Sequence, residues 1–224
     1  VQNISSNLFI IVFLTGNICV DMKKTEKRME AQTTAFGRIV KRYHMPLEAI
    51  DDLNKKYEEH KKKLASFGPK LAGRLDSELE FTQLIGKTDI AKHIVDCMND
   101  YIETCEKINL YKGSKDLEIL SCWINDMREG EYNPPHTHHD NTGWSSVMFL
   151  KIPEFINDAK DPHKFSDGQL GFTSVDGANM TWMEPVVGHF YLFEAKHQHC
   201  VMPFKTKIKG EIRRSMSFNF VQKI

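Results

Sequence analysis

Three histidines and an aspartate crowd into five positions, His136-Thr137-His138-His139-Asp140, in a chain of 224 residues that holds ten histidines in all. A second group, His197-Gln198-His199, follows some sixty residues later. In an extended segment residues i and i+2 face the same side, so either His136 with His138 or His138 with Asp140 can point two ligands at one ion. Two histidines and one carboxylate on one face of an octahedron suit non-haem iron(II) that must also bind a cosubstrate and oxygen. An HxD pair followed much later by one histidine supplies that set here as His138, Asp140 and His199. Structural zinc prefers four closed ligands, often thiolates. The nearest thiol, Cys200, is expected to point away from His199 if the segment is extended.

A basic strand completes the constellation. Arg213-Arg214-Ser215-Met216-Ser217-Phe218-Asn219-Phe220 alternates cleanly, which puts Arg213, Ser215, Ser217 and Asn219 on one face and Arg214, Met216, Phe218 and Phe220 on the other. The apolar face must pack on a core, so the polar face lines an interior. There an arginine with a hydroxyl two residues later can clamp a carboxylate through charge-assisted hydrogen bonds.

These residues need elements to hold them. Composition shifts near residue 117, where a Lys/Glu-rich front part gives way to aromatics, Gly and Pro. In the front, Arg38 to Tyr43 reads as a short strand. Pro46 can open a helix carrying Leu47, Ile50, Leu53 and Tyr57, with Lys61-Lys62-Lys63 on a solvated face, and Thr88 to Lys107 reads as a second helix with Ile90, Ile94, Met98 and Ile102 in one stripe. Behind them, Leu117 to Met127, Ser145 to Ile152, Gln169 to Phe172, Phe190 to Phe193 and Arg213 to Val221 read as strands between turn-forming clusters. Short strands after a helical layer predict a β-sandwich or barrel backed by helices. Trp144, Met148, Phe149 and Trp182 are candidates either for the pocket wall or, more commonly for such residues, for ordinary core. The polar stretch from Glu154 to Asp167 is the expected place for substrate contacts.

Global properties narrow the partners. Thirty basic residues balance thirty acidic ones, so nothing in the net charge favours nucleic acid or a membrane surface. Five cysteines without a CxxC pair argue for reduced thiols and a cytoplasmic setting. The apolar run from Leu8 to Leu14 falls well short of the roughly 20 residues that span a bilayer. Met22-Lys23-Lys24 resembles a natural start, so residues 1–21 are expected to be dispensable.

Together the motifs resemble the iron(II)- and 2-oxoglutarate-dependent oxygenase superfamily, near its prolyl-hydroxylase-like branch common in marine phages and bacteria. The carriers are Trp123-Ile124-Asn125 with Gly130, Asn133-Pro134-Pro135-His136-Thr137-His138, Ser146 to Pro153, Gly188-His189-Phe190-Tyr191-Leu192-Phe193, His199-Cys200-Val201-Met202-Pro203 and Arg213 to Asn219. The resemblance implies an α+β fold: a double-stranded β-helix, or jelly-roll barrel, flanked by N-terminal helices. Its expected layout is an extension over 1–36 and one oxygenase domain over 37–224, with helical support at 46–110 and a jelly-roll core at 117–222.

The resemblance further implies an iron(II) dioxygenase that uses 2-oxoglutarate and O2 to hydroxylate a C–H bond, with a peptidyl proline or a small molecule as substrate. Ascorbate would support activity, and the setting would be the host cytoplasm if the chain is phage-encoded. His199 matches the distal ligand, and Arg213 with Ser215 matches the pair that holds the far carboxylate of 2-oxoglutarate, with Asn125 beside them. For the proximal ligands two registers stand. His138 with Asp140 restores an HxD motif, whereas the distance from Gly130 favours His136 with His138 and makes His136 a substitute ligand. The rival function is a cupin-like metal-binding jelly roll without 2-oxoglutarate chemistry.

Overall fold

The computed structural model describes residues 31–35, 38–108, 110–111, 116–138, 143–156 and 167–223, with the backbone alone for 31–35. The apolar run at Leu8–Leu14 and the start suggested by Met22 lie outside them.

Strands β1 (Ala31–Ala35) and β2 (Ile39–His44) lead into helix α1 (Leu47–His60). Strand β3 (Glu78–Glu80), a short helix α2 (Thr82–Ile85) and helix α3 (Ile90–Lys107) follow. The remaining strands are β4 (Leu117–Met127), β5 (Asn133–His136), β6 (Trp144–Lys151), β7 (Leu170–Thr173), β8 (Met180–Met183), β9 (His189–Glu194), β10 (His199–Val201) and β11 (Arg213–Gln222). Every pairing between named strands is antiparallel. One sheet has seven strands in the order β1-β2-β9-β6-β11-β4-β3, and a smaller one runs β5-β10-β7-β8. The two face each other as the walls of a jelly roll.

Helical periodicity decides what covers the outer face of the large sheet. Helix α1 buries Ala49, Ile50, Leu53 and Tyr57, and α3 buries Ile90, Ile94, Cys97, Met98, Tyr101, Ile102 and Cys105, each set a single stripe. They pack on Trp144, Met148, Leu150, Met216, Phe218 and Phe220 in one apolar cluster. A second cluster fills the space between the sheets with Val147, Phe149, Leu170, Phe172, Tyr191, Phe193 and Val201. Strand β6 therefore has both faces buried, which is why its sequence is nearly continuous in apolar and small residues.

Glycine matters most at the entry to β9. Gly188 has φ +85°, and a Cβ there would stand 3.1 Å from the Met45 carbonyl oxygen. The close approach lets the Met45 amide donate to the Gly188 carbonyl at 2.8 Å, locking α1's entry to the sheet.

The structure differs from the sequence expectation at several short elements. The sheet includes Ala31–Ala35, paired with β2, inside the stretch expected to be an extension. Strand β5 contains Pro134 and Pro135 and lies at the sheet's edge, where missing donors are tolerated. Strands β3, β8 and β10 are three or four residues long, too short for an alternating pattern to register.

Candidate active site

The histidines meet because β5 and β10 are neighbours. His199 opposes His136 directly in register, so their rings come within 4.3 Å, centroid to centroid. His138 lies just beyond the end of β5, its backbone amide donating to the Ala195 carbonyl at 3.0 Å. Its ring is 5.3 Å from that of His199 and 5.8 Å from that of His136. One nitrogen from each of the three lies within 4.8 Å of the others. Asp140, part of the ligand set preferred from sequence, lies outside the described residues. His136, held in reserve as a substitute ligand, joins the cluster.

The rings are held in defined orientations. His136 Nδ1 is 2.7 Å from the Pro134 carbonyl oxygen and His199 Nδ1 is 2.8 Å from that of His197. A carbonyl oxygen can only accept, so both Nδ1 atoms carry the proton and both Nε2 atoms keep a lone pair. Burial lowers the pKa of His136, and burial with the neighbouring His136 and His138 holds His199 well below the usual imidazole range. Neutral imidazoles with convergent lone pairs are what a metal ion requires.

The basic strand behaves as its alternation predicts. Arg213, Ser215, Ser217 and Asn219 line the same cavity as the three histidines, while Met216, Phe218 and Phe220 pack under the helices. The Arg213 side chain is almost fully buried, with its guanidinium carbon 4.7 Å above the Phe149 ring and Nη1 3.9 Å from the Met127 sulfur. Its Nε and Nη2 have no hydrogen-bond acceptor among the described residues. Burial pulls its pKa down to about 9, which leaves it charged at neutral pH. Asn125 on β4 opposes Ser215, lines the cavity and has a buried Oδ1 without a hydrogen-bond donor among the described residues. Orphaned buried polar groups are rare in folded proteins, and those of Arg213 and Asn125 belong to residues lining the same cavity as the metal-capable imidazoles.

The cavity measures about 660 Å³. One wall comes from a segment that sequence reasoning passed over: Phe67, Lys70, Leu71 and Leu75 lie on the connection between α1 and β3. Phe67 stacks on Trp123 at 5.1 Å and 19°, and Lys70 Nζ sits 4.8 Å over the Phe67 ring. The signal available was a lone Phe67-Gly68-Pro69 turn, which carries no periodicity. None of Trp144, Met148, Phe149 and Trp182 lines the cavity. The first three are core, with Phe149 the platform under Arg213, and Trp182 is half-buried on β8 over Gly171. Of the Glu154–Asp167 stretch, residues 157–166 lie outside the described residues. Phe155 pairs with Thr206 and packs on Phe204 at 4.9 Å. The described cysteines Cys97, Cys105, Cys122 and Cys200 are buried thiols outside any disulfide, and none joins the histidine cluster.

Residues 121–219, which run from within β4 to within β11 and contain the three histidines, Asn125, Arg213 and Ser215, match the family model for 2OG-Fe(II) oxygenases. The barrel of this chain is similar to the 2OG-Fe(II) oxygenase family. Solved structures with the same fold include a Pseudomonas putida prolyl-4-hydroxylase (18% identity, TM-score 0.56, 83% of this chain and 93% of that one). A Trichoplax adhaerens prolyl hydroxylase, in complex with a peptide fragment of the hypoxia-inducible-factor oxygen degradation domain, matches at 13% identity and TM-score 0.52 over 77% of each chain. The α-ketoglutarate-dependent epimerase SnoN of nogalamycin biosynthesis matches at 12% identity and TM-score 0.51, covering 81% of this chain and 77% of its own. No curated protein matches the chain in sequence. The 2OG-Fe(II) oxygenase family implies iron(II) and 2-oxoglutarate, and three clustered imidazoles beside a buried arginine whose Nε and Nη2 lack acceptors among the described residues fit both. Among the described residues no helix is long and apolar enough to cross a membrane.

Proposed function

We propose that this chain is a 2OG-Fe(II) oxygenase that hydroxylates a substrate C–H bond, with iron(II) held by His136, His138 and His199. When bound, iron(II) would activate O2, the oxidant, with 2-oxoglutarate giving up two of the electrons as it becomes succinate and CO2, chemistry that no protein side chain offers. The chain's own residues bind, orient and exclude water.

Arg213 is the observation that carries the reading. A guanidinium taken out of water costs several kcal/mol unless an anion meets it, and a one-sided contact with Met127 and Phe149 does not supply one. A dicarboxylate can answer both needs of the cavity, offering one carboxylate to the metal and the other to Arg213. Ser215, two residues along the same face, adds a hydroxyl to the second carboxylate, and Asn125 adds an amide beside it. Phe149 keeps water from the guanidinium, which strengthens that ion pair.

The substrate we propose is a peptidyl proline, on the strength of the resemblance carried by the motifs. The apolar wall of Phe67, Leu71, Leu75 and Trp123 is compatible with a pyrrolidine ring beside the histidines. The test is succinate release from 2-oxoglutarate with iron(II), ascorbate and a panel of proline-containing peptides. Peptide-dependent succinate with a product heavier by one oxygen supports the reading. Turnover stimulated by a small molecule and by no peptide would replace the substrate and keep the reaction.

A further inference from the structure

The strap from Ser66 to Leu75 runs between the two sheets along one wall of the cavity. At one end Ser66 bridges to Leu79 on β3, and at the other Arg74 bridges to Tyr132, just ahead of β5, its amide donating to the Tyr132 carbonyl at 2.9 Å. Between these ties Gly68–Lys70 form a single tight turn around Pro69, whose ring fixes one backbone angle. The Lys70 amide donates to the Phe67 carbonyl at 3.0 Å and the Leu71 amide to the Gly68 carbonyl at 2.9 Å. The turn sets Lys70 in the cavity wall with its Nζ 4.8 Å over the Phe67 ring. Phe67 stacks on Trp123 at 5.1 Å, and Trp123 lies 6.2 Å from the His138 ring, so an aromatic wall joins the ammonium to the histidines.

Charge in this cavity is one-sided. Apart from the histidines, the charged side chains lining it among the described residues are Lys70 and Arg213, with no aspartate or glutamate to oppose them. Lys41, Lys56, Lys61, Lys107, Lys196 and Lys207 each meet a carboxylate, whereas the Lys70 ammonium meets the face of Phe67 and no carboxylate among the described residues. An aromatic face engages one side of an ammonium and leaves its other donors open to an anion. Arg213 answers the far carboxylate of 2-oxoglutarate, which leaves the second cation for the substrate. On the reading that a substrate C–H bond is oxidised beside the three histidines, we propose that Lys70 is a specificity-determining residue for a substrate that carries a carboxylate near that bond. The carboxylate is an acidic side chain next to a peptidyl proline or the α-carboxylate of a free imino acid. An unopposed cation discriminates twice, by attracting carboxylates and by rejecting cationic substrates.

Anaerobic calorimetry on the full-length protein, with iron(II) and 2-oxoglutarate present, reads substrate binding without turnover. The probes are blocked peptides with Glu, Gln or Lys next to the proline, and free L-proline beside prolinamide. Wild type should bind the Glu peptide about threefold tighter than the Gln peptide and about tenfold tighter than the Lys peptide, the scale of a partly exposed charge pair. The preference should fade between about 20 mM and about 0.5 M salt. Lys70→Met should flatten the series and Lys70→Glu invert it, with melting temperatures close to wild type because the side chain is exposed. A preference confined to proline over prolinamide, and lost in Lys70→Met, assigns the carboxylate to a free imino acid. Equal binding within both sets, a preference that survives Lys70→Glu, no binding of any carboxylate probe, or weaker 2-oxoglutarate binding in Lys70→Glu overturns the role of Lys70. Charge-selective binding with no succinate released once air is admitted keeps that role and overturns the proposed oxidation, whereas succinate release blind to charge does the reverse.

Discussion

Arg213 and Arg214 are adjacent in sequence and opposite in fate. The Arg213 guanidinium faces the cavity over Phe149 with two nitrogens unsatisfied among the described residues. Arg214 faces the helices, donates to both Asp126 carboxylate oxygens at 2.6 and 2.8 Å and to Glu58 at 2.6 Å, and lies 4.4 Å over the Tyr57 ring. One arginine has its anions built in, and the other has a pocket where an anion can go.

Arg213→Ala should therefore raise the apparent KM for 2-oxoglutarate by at least about tenfold, since losing a hydrogen-bonded charge pair in a closed site costs roughly 2 to 5 kcal/mol. Metal affinity should be nearly unchanged. Steady-state succinate assays and metal titration check both halves.

Arg214→Ala should show the reverse pattern. Removing it strands the buried Asp126 carboxylate, a change worth about 3 kcal/mol of stability. The folded fraction should keep its KM for 2-oxoglutarate. Urea unfolding beside kinetics distinguishes the two arginines.

His199→Ala should abolish metal retention, because its imidazole is buried between His136 and His138. His136→Ala should also lose the metal, and Asp140→Ala should weaken it less. Metal titrations of the purified variants rank them, and the reverse order would restore the HxD ligand set of His138, Asp140 and His199.

Glu78 gives the fold a pH dependence. Burial, followed by the charge of Glu131, pushes its carboxyl up from 4.5 to about 7, and Oε1 has no hydrogen-bond donor among the described residues. An acid whose folded pKa exceeds its unfolded value binds more protons folded than unfolded between the two. Its contribution to stability is complete below about 4.3 and is lost as pH rises through about 7. Wild type should lose on the order of 2–3 kcal/mol relative to Glu78→Gln between pH 4.5 and pH 8. Paired urea titrations at those two values measure the difference.

How much of this was legible follows from residue patterns. The alternation of β11 was readable because one face is apolar and the other polar, so period two stands out over ten residues. The stripes of α1 and α3 were readable for the same reason at period 3.6. Sequence spacing brought forward His136, His138 and His199 as candidates, yet left the proximal register open. The cross-strand neighbour of His199 is His136, a tertiary fact that no spacing in the sequence carries. The Phe67–Trp123 wall joins residues fifty-six positions apart through no shared pattern. Ser145 was hidden in a strand where small and apolar residues alike are buried, so nothing in its neighbourhood marked it as the contact of His138.

The central claim is that metal and Arg213 hold the two ends of one dicarboxylate. Anaerobic calorimetry of 2-oxoglutarate with the full-length protein tests it, with and without iron(II), in wild type and Arg213→Ala. The account predicts one-to-one binding that needs both the metal and the arginine. Equal binding without metal, or binding untouched by the loss of Arg213, would contradict it.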